Sequence, residues 1–176
     1  MDQTSQHSKK HQNEKTKTDL KMAKEIERKF LLKNNTWKSY AKDRMVIKQG
    51  YLNTDKERTV RVRIKGRQGF LTIKGINRGM TRQEFEYEIP VREAEALILL
   101  CHQPIIDKTR YFIPKKDHIW EIDIFRGDNE GLAIAEVELH SETQKVPIPR
   151  WVGTEVTGDP KYYNSSLVKT PYKDWQ

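Results

Sequence analysis

Glu25-Ile26-Glu27-Arg28-Lys29-Phe30-Leu31-Leu32 alternates in character along the chain, and a strand points successive side chains to opposite sides. Glu25, Glu27 and Lys29 therefore share one face, and Ile26, Arg28, Phe30 and Leu32 share the other. The same parity places Arg61 with Arg63, Thr72 with Lys74, Glu84 with Glu86 and Glu88, and Lys108 with Arg110. Glu121 and Asp123 oppose Trp120, Ile122 and Ile124, and Glu136 and Glu138 oppose Ala135, Val137 and Leu139, so seven strands repeat one design. A water-facing antiparallel sheet needs only polar residues on its outer face. These faces are almost wholly ionic, and the basic strands are sorted from the acidic ones, which solubility does not require.

Outward from this segment, period-two runs predict strands near 23–32, 44–53, 58–66, 69–75, 80–90, 105–114, 118–126 and 132–140. Lys65-Gly66-Arg67-Gln68-Gly69 reads as a hairpin turn. Helical spacing of Val91, Ala94, Leu97 or Ile98, and Cys101 after Pro90 predicts a helix over 91–101, with shorter helices near 35–41 and 161–168. The fold expected is α+β but mainly β: a closed eight-stranded antiparallel β-barrel, charged inside and apolar outside, with helices packed on the outside. The four Trp residues are expected on that exterior.

A chain of 176 residues suits one domain. Residues 1–21 are polar and Lys-rich and are expected to form a disordered tail, leaving the domain to residues 22–176. The formal charge of +8 invites a nucleic-acid reading, but 25 Asp and Glu mixed among the basic residues would repel a long polyanion. A short phosphorylated ligand with a cation fits better. Cys101 is the single cysteine, which excludes a disulfide framework and a thiolate zinc site. It is expected as a buried helix residue. No signal peptide or membrane-spanning run is legible, so the cytoplasm is the expected compartment.

Carboxylates at alternate strand positions can converge on a hard cation such as Mg²⁺, which is commonly held by one or two carboxylates plus substrate phosphates. Glu25, Glu27, Asp123, Glu136 and Glu138 fit that description. Lys29, Arg61, Arg63, Lys74, Lys108 and Arg110 supply the cations that would grip a polyphosphate. Phosphoryl transfer asks mainly for positioning and charge neutralisation.

Glu25-Ile26-Glu27-Arg28-Lys29 resembles the E-x-E-x-K signature of the CYTH superfamily, the triphosphate tunnel metalloenzymes. The likeness continues through Gln49-Gly50-Tyr51-Leu52, Val60-Arg61-Val62-Arg63, Thr72-Ile73-Lys74, Arg82-Gln83-Glu84-Phe85-Glu86, Lys108-Thr109-Arg110-Tyr111, Glu121-Ile122-Asp123-Ile124-Phe125 and Ala135-Glu136-Val137-Glu138. Residues 151–159 and 162–164 are similar to the C-terminal part of the small bacterial members. The resemblance implies an eight-stranded tunnel and a Mg²⁺- or Mn²⁺-dependent enzyme that cleaves inorganic tripolyphosphate to pyrophosphate and phosphate. It implies metal binding by Glu25 and Glu27 with Asp123, Glu136 and Glu138, and triphosphate binding by the six cations. By parity alone Glu84, Glu86 and Glu88 face the same interior, where they are expected to orient the basic strands, and Glu86 is the best of the three for a part in substrate binding. Glu25, Glu27, Lys29 and Lys108 carry the expected catalytic roles. Adenylate cyclases of the class IV type and thiamine triphosphatase share the superfamily motifs and stand as alternatives, as does a non-catalytic module binding polyphosphate or RNA ends. The expected partner is the small triphosphate, with no membrane, no nucleic acid, and a homodimer admitted. Arg28 lies on the apolar face and is left out of the site.

Overall fold

The computed structural model describes residues 26–175 apart from 56, 79, 80 and 142, with the backbone alone at 77, 78, 81 and 82. The expected tail, the domain start at residue 22, and Glu25 lie outside the described residues. The strands are β1 (Ile26–Leu32), β2 (Asp43–Asn53), β3 (Arg58–Lys65), β4 (Gln68–Arg78), β5 (Thr81–Ile89), β6 (Ile106–Lys115), β7 (His118–Phe125), β8 (Ala133–Leu139) and β9 (Val152–Glu155). The first eight match the period-two runs to within a few residues. The hairpin between β3 and β4 turns at Gly66, whose φ of 57° suits a residue without a Cβ.

Pairing is antiparallel throughout, in the order β5-β4-β3-β2-β6-β7-β8-β1-β9. This corrects the expected closed eight-stranded barrel: the sheet is open and has nine strands, with β5 and β9 at its edges. The backbone of β1 explains why. Closure would need the outer edge of β1 to pair with β5, and that edge is already occupied. Lys33 N donates to Trp151 O, Val156 N donates to Lys29 O, and Lys29 N donates to Thr157 Oγ1, at 2.8, 2.8 and 3.0 Å, alongside the β1–β9 ladder. A strand has two hydrogen-bonding edges, and both edges of β1 are used. Arg28 strengthens the β9 attachment through Glu155 at 2.6 Å while lying over the Phe30 ring.

The apolar face of the sheet carries most of the core. Phe30, Trp120, Trp151, Val137 and Leu139 pack together with Trp37, which lies in the short helix Thr36–Tyr40 and meets Tyr111 edge-on at 5.1 Å. A second cluster lies under α1 (Val91–Leu99), which starts after Pro90 and buries Ala94 and Ile98 against Val62. Two glycines let α1 and the turn after it approach the sheet closely. A Cβ at Gly50 would come within 2.6 Å of Cys101 Cβ, and one at Gly69 within 2.7 Å of Ala94 Cβ. Cys101 is buried, as expected, but lies just past the end of α1.

The C-terminal segment departs from the expected exterior covering. Leu167, which ends the short helix α2 (Asn164–Leu167), and Val168 cluster with Tyr51, Ile106, Phe125 and Ile134. Those four have the parity of the charged face, because Tyr51 pairs with Arg61, Phe125 with Lys108 and Ile134 with Asp123. Part of the ionic face is therefore apolar and is covered by the chain's own end. Trp175 packs on this cluster with Tyr162 and Tyr172, so it too departs from the expected exterior position. The backbone N–H of Tyr172 donates to Asn129 Oδ1 at 2.8 Å and ties the segment down.

Candidate active site

The ionic faces of β1, β3, β4, β5, β6, β7 and β8 surround one cavity of about 450 Å³. Lys29, Arg61, Arg63, Lys74, Lys108 and Arg110 all line it, together with Glu27, Glu86, Glu136 and Glu138. The structure thus brings together the six cations and four of the acidic residues singled out in the sequence. Asp123 lies beneath them, fully buried, and Glu25 is outside the described residues.

Register explains the pairing of charges. Lys29 stands opposite Glu136 across β1 and β8, Arg110 opposite Asp123 across β6 and β7, and Lys74 opposite Glu84 across β4 and β5. Lys29 Nζ donates to Glu136 at 2.5 Å and reaches Glu27 at 2.8 Å. Burial disfavours the Lys29 ammonium, but Glu136 and Glu27 more than offset this, and its pKa lies above the ordinary lysine value.

Asp123 has both oxygens engaged: Oδ1 accepts from Arg110 Nε at 2.7 Å, and Oδ2 accepts from Arg110 Nη2 at 2.7 Å and Lys108 Nζ at 2.5 Å. Burial alone would raise its pKa. Lys108 and Arg110 overcome that and hold it well below the usual carboxylate range. Glu136 is likewise depressed, its burial and the nearby Asp123 being outweighed by Lys108, Lys29 and Arg110. Glu121, which also pairs with Arg110, is raised by burial in spite of Arg110.

Across the cavity, Arg61 donates to Thr72 Oγ1 at 3.1 Å and to Glu86 at 3.2 Å, and Thr72 donates to Glu86 at 2.9 Å. Lys74 pairs with Glu84 at 2.6 Å. Arg63 differs. Its Nε donates to Gln49 Oε1 at 3.0 Å, and no carboxylate lies within ion-pair distance of it among the described residues. Burial, then repulsion from Arg61 and Arg110, lowers its pKa to about 10.

The donor set fits a hard divalent cation. Glu27 and Glu138 stand directly opposite each other on β1 and β8, and both are exposed to the cavity side. Like charges so placed are destabilising unless a cation lies between them. All the candidate donors are oxygens, the preference of Mg²⁺ and Mn²⁺ rather than zinc. Among the described residues no three acidic, His or Cys side chains are drawn together as a ready-made cluster, because lysine and arginine groups occupy the intervening positions. A cation bound here would share Glu136 and Glu27 with Lys29.

Several lining residues escaped the sequence reading. Lys65 continues the Arg61, Arg63 row by parity and was within reach of the same rule, whereas Glu121, read on the ionic face with Asp123 but given no role there, also lines the cavity. Tyr163, Asn164 and Ser165 carry no periodic signal and arrive only because the C-terminal segment folds onto the ionic face. Arg61 Nε and Asn164 Oδ1, both on lining residues, are buried without a hydrogen-bond partner among the described residues. Buried polar groups normally find partners, and a ligand could supply them.

The CYTH domain family matches residues 23–170. An inorganic triphosphatase of Acetivibrio thermocellus is 50% identical over 156 residues, 88% of this chain and 99% of that protein. One from Nitrosomonas europaea is 37% identical over 81% of this chain and 95% of that protein. A crystal structure of an inorganic triphosphatase superposes with a TM-score of 0.62 at 34% identity, covering 84% of this chain and 95% of the other.

Proposed function

From the premise that the chain belongs to the CYTH domain family, we infer that it is an inorganic triphosphatase, a hydrolase that cleaves tripolyphosphate to pyrophosphate and phosphate. The observation that carries this reading is the cavity lined by six cations from β1, β3, β4 and β6 together with an opposed Glu27/Glu138 pair on β1 and β8. Pure anion binding would gain nothing from two facing carboxylates.

In this reading Arg61, Arg63, Lys74 and Arg110 hold the phosphate chain, and Lys29 and Lys108 place positive charge against the leaving pyrophosphate. Water attacks the terminal phosphorus, the bond to the bridging oxygen breaks, and pyrophosphate departs with the electron pair. A carboxylate oxygen of Glu27 takes the proton lost by the water. Glu27, Glu136 and Glu138 would hold Mg²⁺ or Mn²⁺, with Glu25 joining them by parity. When bound, such an ion neutralises phosphate charge and favours ionisation of the attacking water. Asp123 serves this set from below by fixing Lys108 and Arg110. Glu86 acts through Arg61.

The same reading places the domain at residues 22–176 and the protein in the cytoplasm, and a homodimer is compatible with it. No helix among the described residues is long and apolar enough to cross a membrane. The deciding experiment incubates the protein with Mg²⁺ or Mn²⁺ and tripolyphosphate, thiamine triphosphate or ATP, and identifies products. Phosphate release from tripolyphosphate well above that from the other two supports the reading. Cyclic AMP, or faster cleavage of thiamine triphosphate, overturns the choice of substrate.

A further inference from the structure

Gln49 is fully buried at the centre of β2, on the face that carries the site. Its position opposite Arg63 in the β2–β3 register brings its side chain against the guanidinium. Arg63 Nε–H can only donate, so the atom 3.0 Å from it is the amide oxygen. The amide nitrogen then faces Tyr51, donating to its hydroxyl at 3.2 Å. Both ends of the amide are engaged, and the rotamer is locked between two cavity-lining side chains.

What distinguishes Arg63 is the kind of group that holds it. Lys29, Arg61, Lys74, Lys108 and Arg110 each pair with at least one carboxylate. These pairs offset most of the positive charge before any ligand arrives. Arg63 is oriented by a neutral amide instead, so its full charge faces the cavity. An Arg used for phosphate recognition needs its planar fork held in register, and a fixed partner at Nε leaves the outer nitrogens for the anion.

We propose that Gln49 is a positioning residue for anion recognition, holding Arg63 by an uncharged hydrogen bond so that it meets a phosphoryl group of the substrate with its charge uncompensated. The proposal rests on the phosphate-binding role inferred above for Arg63. It accounts for a buried amide where an apolar residue would pack at lower cost, since a buried polar group is kept only where its hydrogen bonds serve something. It also separates two substitutions of similar size. Gln49→Met removes the hydrogen bond and leaves the charge, whereas Gln49→Glu keeps an acceptor at the same place and adds a counter-charge that competes with the ligand.

Affinity for tripolyphosphate is measured by titration calorimetry in EDTA, with thermal melts on every variant, so that binding is read apart from turnover. Gln49→Glu is expected to weaken binding roughly ten- to a hundredfold. Gln49→Met is expected to weaken it less, and to have no further effect in an Arg63→Ala background, because the amide acts only through that arginine. In steady-state assays with Mg²⁺ the Gln49→Met loss should appear mainly in KM. Wild-type affinity in Gln49→Glu overturns the proposal, and so does a full additional loss from Gln49→Met when Arg63 is already alanine. Should Gln49→Glu fail to fold, the Gln49→Met and Arg63→Ala cycle decides alone. Wild-type protein that binds tripolyphosphate without cleaving it overturns the hydrolase reading but leaves this proposal standing. Protein that does not bind the anion overturns both.

Discussion

Asp123 and Arg110 face each other across β6 and β7 and are joined by two parallel hydrogen bonds, each 2.7 Å long, while Lys108 occupies the remaining approach to Oδ2. A residue expected to ligate metal thus has its oxygens already taken by two cations that would face substrate. The bidentate geometry fixes the guanidinium plane, and burial gives the pair few alternatives.

Asp123→Asn should therefore cost about 3–5 kcal/mol of stability, the range for breaking one side of a buried pair. Its pH dependence has a definite sign. The folded-state pKa of Asp123 is depressed, so its contribution is fully present above the unfolded value of about 3.9 and is lost as pH falls below that toward the folded pKa. Chemical denaturation of both proteins should show a gap that is constant near neutrality and narrows below about pH 4. A gap that widens on acidification would contradict the pairing.

Glu27→Gln is expected to abolish turnover while the melting temperature stays close to that of the wild type, since Glu27 is about half exposed, with 46% of its side chain accessible. Loss of one exposed carboxylate changes stability by about 1 kcal/mol or less. EDTA should silence the wild-type protein, and Mg²⁺ or Mn²⁺ should restore it. An active Glu27→Gln enzyme would remove the metal and proton roles given to this residue.

Arg63→Ala should raise KM for tripolyphosphate at least tenfold, the order expected for a charged hydrogen bond, with a smaller change in kcat. Saturation kinetics provide the check. An unchanged KM would count against contact between this arginine and the phosphate chain.

Gly50→Ala tests the apolar side independently of the chemistry. The new Cβ would meet Cys101 Cβ at 2.6 Å, and both atoms belong to rigid backbone neighbourhoods rather than to flexible side-chain tips. The turn after α1 must move away, at a cost of about 1–3 kcal/mol for overpacking. Denaturation should record that loss, and activity per folded molecule should change little, because Gly50 points away from the cavity.

Much of this protein was determined by local alternation. Period two dictates that Glu27 and Lys29 share a face, and likewise Arg61 with Arg63 or Glu136 with Glu138, whatever the rest of the chain does. Eight strands and the six cations that line the cavity follow from that rule and from the turn residues, and the α1 helix follows from the helical spacing of Val91, Ala94 and Ile98 that interrupts it. Tertiary structure decided what depends on distant partners. The short β9 carries too few residues to show a period, yet by taking the free edge of β1 it leaves the sheet open. The C-terminal segment covers part of the ionic face because Leu167 and Val168 find an apolar surface there assembled from β2, β6, β7 and β8. Parity could name Asp123 and Arg63 as facing the same space, but not that the first is enclosed by two cations and that the second meets no carboxylate among the described residues. That difference arises from cross-strand register, which is set by long-range pairing and not by sequence neighbours.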